Sequence, residues 1–295
     1  MDTCTLCPRM CGVNRAAGEK GYCGMDATIR AARAALHMWE EPCISGTRGS
    51  GAVFFSGCSL RCIFCQNFEI AEGNCAKEIS GERLSEIFLE LQEQGAANIN
   101  LVTAAHYVPA VIESLKKAKA QGMDLPVIYN SSGYERVETV QMLEEVVDVW
   151  LPDFKYMDSK LAFAYSRAKD YPEVARAAIR EMMKAAGTCA YDEDGYIQKG
   201  VIVRHLILPG HTKNSIAVLD ELYGTYGDDL TISLMNQYTP LPQVWNIPDL
   251  NRRGTKREYE KVLDHALDLG ITQGFFQEGG TAKESFIPIF DYEGL

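Results

Sequence analysis

The stretch AVFFSGCSLRCIFCQN, Ala52 to Asn67, decides how the rest of the chain is read. Its first half is a short apolar run that ends at Gly57, the mark of a buried strand followed by a turn. Its second half spaces Cys58, Cys62 and Cys65 as C-x3-C-x2-C, which puts three thiols in the loop at that strand's C-terminal end. A loop this short lets the three sulfurs converge on one corner of a metal cluster. A 4Fe-4S cluster with four cysteine ligands is coordinatively closed, whereas three leave one iron free to bind something else. The same residues also admit zinc, or thiols packed as small hydrophobes. The spacing and the strand-then-loop setting favour the cluster.

Outward from this stretch, short apolar runs alternate with amphipathic segments. Strands are expected at 52–56, 99–103, 127–130, 147–153, 202–208, 230–235 and 274–277. Helical spacing joins Leu84, Ile87, Phe88 and Leu91, and again Val108, Ile112 and Leu115. Further helices are expected at 136–145, 172–186, 215–226 and 256–269. Repeated β-α units predict an α/β fold with a parallel sheet. Six or seven units are too few for a closed eight-unit barrel, so the expectation is a partial, open β/α TIM barrel with its site at the C-terminal strand ends. A doubly wound sheet is the alternative, although no G-x-G-x-x-G follows a strand. Two segments are expected: a Cys-rich metal-binding piece over 1–48, with little periodicity beyond an alanine-rich stretch near 28–36, and the barrel over 49–295.

The 295 residues carry 29 Lys plus Arg against 40 Asp plus Glu, a formal charge of −11, which speaks against a nucleic-acid partner. No apolar run reaches the roughly 18 residues that a membrane helix needs, and MDTCTLCPRM lacks signal-peptide character, so the expected setting is the cytoplasm with no membrane partner. Nine of the ten cysteines fall within the first 75 residues. In a reducing compartment that skew points to metal ligation rather than disulfides. Cys4, Cys7, Cys11 and Cys23 form C-x2-C-x3-C-x11-C, with glycines at 12, 18, 21 and 24 for tight turns. Four soft ligands suit a closed site, for which zinc, a single iron or an auxiliary Fe-S cluster all fit. Cys43, Cys75 and Cys189 are expected to be incidental thiols.

The stretch Gly57–Asn67 resembles the cluster loop of the radical S-adenosylmethionine (radical SAM) superfamily, and its ending CIFCQN resembles the pyruvate formate-lyase activating-enzyme branch. At family level the chain is most similar to uncharacterised activating-enzyme-like proteins with a Cys-rich N-terminus. The resemblance implies that the amino and carboxylate groups of S-adenosylmethionine chelate the free iron of a 4Fe-4S cluster on Cys58, Cys62 and Cys65. One electron then cleaves the sulfonium to a 5′-deoxyadenosyl radical, which abstracts hydrogen from a substrate. It further implies an oxygen-sensitive, anaerobic oxidoreductase served by an electron donor such as flavodoxin or ferredoxin.

The resemblance also distributes S-adenosylmethionine-binding roles around the rim. Phe64 would pack by adenine, and Gln66 and Asn67 would lie near the cluster. Where the superfamily has a glycine-rich stretch ending in an acid, this chain has Val102-Thr103-Ala104-Ala105-His106-Tyr107, so the backbone near Ala105 or Thr103 is expected to take the methionyl amino group. Asn130 and Ser131 stand where activating enzymes have an Asp-Thr pair that helps hold a monovalent cation; the Asn removes one negative charge there. Asp153-Phe154-Lys155 resembles an Asp-x-Lys element that meets the cofactor's carboxylate and ribose, with a surface ion pair as the bland alternative. Arg204, inside the apolar strand VIVRHLILPGH, is expected to face the ligand rather than form a buried ion pair. His205 on the opposite face reads as a packing histidine. Tyr238 would close over adenine, and the QEGGTA turn at 277–282 would touch substrate or cap the barrel.

Three functions follow as expectations. The first is abstraction of hydrogen from a glycine of a glycyl-radical enzyme partner. The second is radical modification of a small molecule, peptide or RNA, and the third, in another class, is a non-catalytic iron-sulfur electron-transfer or scaffold protein.

Overall fold

The computed structural model describes residues 3–277 and 288–295. Ten strands and eight α-helices follow the order β1 Arg30–His37, β2 Ser50–Phe55, α1 Phe68–Ala71, β3 Lys77–Glu78, α2 Gly81–Glu93, β4 Ile99–Val102, α3 Val108–Ala120, β5 Val127–Ser131, α4 Val137–Leu143, β6 Val149–Pro152, α5 Ser159–Ser166, α6 Tyr171–Ala186, β7 Ala190–Tyr191, β8 Ile197–Leu206, α7 Thr212–Tyr226, β9 Thr231–Met235, α8 Lys256–Leu269 and β10 Gly274–Phe276.

One sheet runs β10-β9-β8-β6-β5-β4-β2-β1-β3, with the short β7 beside β8. The neighbours from β2 through β10 pair in parallel, in registers such as Gly51↔Ile99, Ile99↔Val127 and Ile128↔Val149. All four residues of β4 and of β6 are buried, as strands covered on both faces must be. β10 pairs only with β9 among the described residues, so the sheet is open and the fold is the expected partial barrel. The seven expected strands are all present, with each end within five residues of its expected place. α8 matches its expected span and starts at a capping box in which Thr255 and Glu258 satisfy each other's backbone donors.

The alanine-rich stretch near 28–36 is not an isolated patch. It is β1, antiparallel to β2, so part of the Cys-rich segment belongs to the sheet itself. Small residues at Ala31, Ala32, Ala34 and Ala35 let this strand be covered on both faces. After β1 the chain turns under the barrel. Ile44 and Cys43 fill its base against Ile128, Val149, Leu151, Ile197 and Ile202. The turn is held by Asn98 Nδ2 donating to Ile44 O at 2.8 Å and by Ile197 N–H donating to Cys43 O at 2.9 Å. At the other terminus, residues 290–295 lie along β1, with Ala34 N–H donating to Glu293 O and Tyr292 N–H to Ala32 O. No described helix is long and apolar enough to cross a membrane.

Candidate active site

β2 delivers the cysteine loop. Gly57 turns at φ +89°, and a Cβ there would collide with Met25 and with the carbonyl of Cys23, so only glycine fits between strand and loop. Arg61 takes the left-handed conformation inside the loop at φ 52°. Ile63 N–H donates to Tyr165 O at 2.9 Å, and Cys65 N–H to Cys62 O at 3.1 Å, which fixes the loop's far half. Burial pushes the thiols of Cys62 and Cys65 up; Lys155 pulls against that in both, and a hydrogen bond from Ser166 Oγ, 3.1 Å from Cys62 Sγ, does so in Cys62.

Cys58, Cys62 and Cys65 line a cavity of about 720 Å³. Its walls also carry Phe64, Gln66 and Asn67 from the loop, then Thr103, Asn130, Ser131, Asp153, Lys155 and Arg204 from successive strand ends. Lys155 Nζ lies 2.6 Å from Asp153 Oδ2, and both side chains are mostly buried. Burial disfavours the ammonium, but Asp153, with Cys62 and Cys65, more than offsets this and holds Lys155 charged. This is a walled ion pair beside the cysteines, not a surface one. Thr103 sits at φ 62°, a conformation β-branched residues avoid, and such strain gathers at binding sites. Its amide is spent on Asn130 O, which leaves its side chain to the cavity wall.

Four expected groups are arranged differently. Tyr238 is outside the lining: its hydroxyl donates to Leu250 O at 2.7 Å and its ring backs Phe64 at 6.4 Å between centroids. Phe64 is itself caged edge-on by Tyr156 and Tyr165. Ala105 is buried behind the wall, and the neighbouring Ala104 carbonyl is occupied by Tyr107 N–H, so Val102 and Thr103 are what this strand end presents. Arg204 reaches the cavity wall but is ion-paired with Glu40 and Glu41, its Nε donating to Glu41 Oε1 at 2.8 Å. Burial disfavours the charges of Arg204 and Glu41, and their mutual attraction outweighs it in both. Asn130 Nδ2 stands 3.5 Å from the same Glu40, so its amide faces this carboxylate.

His205 proves to be a packing histidine, bonded to Phe154 O and Ser215 Oγ and pushed down to about 4 by burial. His106 is likewise internal, its Nε2 2.7 Å from Ser56 O, and burial pushes it down to about 3. Cys43 is buried at the base, while Cys75 and Cys189 donate to Phe290 O and Val201 O. Of the QEGGTA turn, 278–282 lies outside the described residues.

Glu40, Glu41 and Ser166 were not singled out from the sequence. The first two reach the cavity only because the chain passes beneath the barrel. Ser166 closes α5, a helix with no strong periodicity to announce it, and it is also joined to Tyr156 Oη at 2.7 Å.

The donor set fits an iron-sulfur cluster that keeps one iron open. Three thiols share one wall, and the next groups along it are Lys155 and Asp153 rather than a fourth cysteine. No three Cys, His, Asp or Glu side chains among the described residues meet as a single metal ion requires. A cubane makes no such demand, because each thiolate takes its own iron.

Comparison with known proteins agrees. A protein of Methanocaldococcus jannaschii described as "Uncharacterized protein MJ0674" is 29% identical over 270 residues, covering 89% of this chain and 74% of that one. HydG, a maturase of the FeFe-hydrogenase, has a TM-score of 0.53 at 15% identity, covering 80% of this chain and 54% of its own. SuiB of Streptococcus suis bound to S-adenosylmethionine has a TM-score of 0.49 at 12% identity, covering 76% of this chain and 49% of its own. The chain thus spans about half the length of these two structures. The pattern of the Radical SAM superfamily matches residues 52–222, more than half of the chain. With the three-cysteine loop at the first parallel strand and the open barrel behind it, the chain belongs to the Radical SAM superfamily, whose members bind a 4Fe-4S cluster and S-adenosylmethionine.

Proposed function

We propose that this radical SAM enzyme acts in the manner of the pyruvate formate-lyase activating enzymes, taking hydrogen from a glycine in a loop of a partner protein. When bound, the cluster and S-adenosylmethionine supply a 5′-deoxyadenosyl radical that abstracts the hydrogen. The chain's own part is to position the reactants. Cys58, Cys62 and Cys65 hold the cluster, the charged Lys155 stands where a carboxylate would be received, and Thr103 and Asp153 offer polar atoms on either side.

The observation that carries the partner-protein reading is the unclosed sheet. Among the described residues β10 is bonded on one side only, and the cavity is walled both by Phe275 and Phe276 from that end and by His37 and the half-exposed Trp39 from the β1 end. About 720 Å³ lies high in the range for one drug-sized ligand, which leaves room for a chain segment beside a nucleoside-sized cofactor. A flavodoxin or ferredoxin as electron donor belongs to the same reading.

The test is anaerobic reconstitution with S-adenosylmethionine and a strong reductant. Wild type should form 5′-deoxyadenosine and Cys58→Ala should not. With a glycyl-radical partner present, electron paramagnetic resonance should show a radical on that partner. Turnover with small molecules, and no radical on any glycyl-radical protein of the host, would refute the partner reading while leaving the radical chemistry intact.

A further inference from the structure

The four N-terminal cysteines have no part in the reaction just described, yet two closed loops bring them together. Cys4 N–H donates to Val13 O at 2.9 Å and Gly12 N–H returns to Cys4 O at 3.0 Å, closing a loop that holds Cys4, Cys7 and Cys11. A second turn, closed by Gly24 N–H on Gly21 O at 2.9 Å, holds Cys23. The loops meet at a sulfur: Tyr22 N–H donates to Cys11 Sγ at 3.2 Å, and a Cβ on Gly21 would lie 3.3 Å from that sulfur. All four thiols are free, and Cys4, Cys7 and Cys23 are buried. A packing cysteine needs no amide aimed at its sulfur.

The same loops carry the catalytic one. Arg9, between Cys7 and Cys11, donates to Ser59 O at 2.8 Å, Ser166 O at 2.8 Å and Arg167 O at 2.6 Å, and lies 3.9 Å over the Tyr22 ring. Arg61, inside the catalytic loop, approaches the same ring at 5.9 Å. The carbonyl of Cys23 fills the space where a Gly57 side chain would stand.

We propose that Cys4, Cys7, Cys11 and Cys23 hold a second, all-thiolate centre of a thiophilic metal, zinc or iron. This centre locks the loop of Cys58, Cys62 and Cys65 through Arg9 and Tyr22. Since no three of these donors meet as a single ion requires, a lone zinc or iron would draw the two loops inward, whereas a four-iron cluster takes one thiolate per iron; either releases the thiol protons to solvent.

The test uses the full chain, purified anaerobically. In Cys58→Ala/Cys62→Ala/Cys65→Ala, any bound metal reports on this centre alone, whether or not the chain turns over S-adenosylmethionine. The expected content is about one zinc, or about four irons with matching sulfide, per chain. Cobalt(II) added to the chelator-stripped variant should give a thiolate-to-cobalt absorption band. Cys4→Ser in the otherwise native chain should lose that metal and keep the catalytic iron in part. A triple variant without stoichiometric metal and without the cobalt band would overturn the centre. Arg9→Ala, which removes no ligand, should keep the N-terminal metal but surrender catalytic iron to a chelator about tenfold faster; an unchanged rate would overturn the lock.

Discussion

Ser166 shows how much one hydroxyl at a helix end contributes to a reactive centre. It holds Cys62 Sγ at 3.1 Å and is held in turn by Tyr156 Oη at 2.7 Å. A hydrogen bond to a ligand sulfur stabilises the added electron and raises the cluster's potential. Ser166→Ala should therefore lower the midpoint potential of the cluster with iron content unchanged, as a spectroscopic redox titration would show; an equal or higher potential would contradict the assignment. At this scale the sequence was legible where chemistry depends on neighbours along the chain. Cys58, Cys62 and Cys65, and the pair Asp153 and Lys155, all line one cavity. Tyr238 does not, because its hydroxyl found a backbone acceptor at Leu250, and no local pattern announces such a partner.

Among elements, the segment between β1 and β2 has the widest reach. It lacks periodicity, so the sequence reads it as appendage, yet its Ile44 is fully buried as a plug for the barrel's base. Its apolar partners lie on β5, β6 and β8, far along the chain, which is why local pattern could not place it. Ile44→Ala should cost about 3 kcal/mol, the usual price of a large-to-small change at a buried aliphatic site. Chemical denaturation would measure it, and a cost under about 1 kcal/mol would mean the plug is not part of the core. The parallel strands were easier to find, since burial on both faces leaves continuous apolar runs. β1 escaped because alanine is a strong helix former and is depleted in strands, and only packing on both faces selects it for the sheet.

For the molecule as a whole, the ion triad of Arg204 with Glu40 and Glu41 ties the N-terminal segment to the far side of the barrel, across 163 residues of chain. Removing the cation alone leaves two buried carboxylates uncompensated. Arg204→Met should thus destabilise the fold by about 3 to 5 kcal/mol. Glu40→Gln/Glu41→Gln/Arg204→Met should recover most of that in the same denaturation experiment. Were Arg204 chiefly a ligand-binding group, the single variant would keep its stability and lose only S-adenosylmethionine affinity. The sequence favoured the ligand-facing reading of this arginine over the buried ion pair, because its partners are set by tertiary structure alone.

The strip 290–295 along β1 bears on synthesis. β1 is made long before Tyr292 and Glu293, the partners of its outer edge, so that edge waits for them while the parallel strands between are synthesised. A bare strand edge is a template for other chains. Until those residues are made, the pairing on this alanine-rich edge among the described residues is with the two-residue β3, and nascent chains crowded on one message are the molecules best placed to pair there.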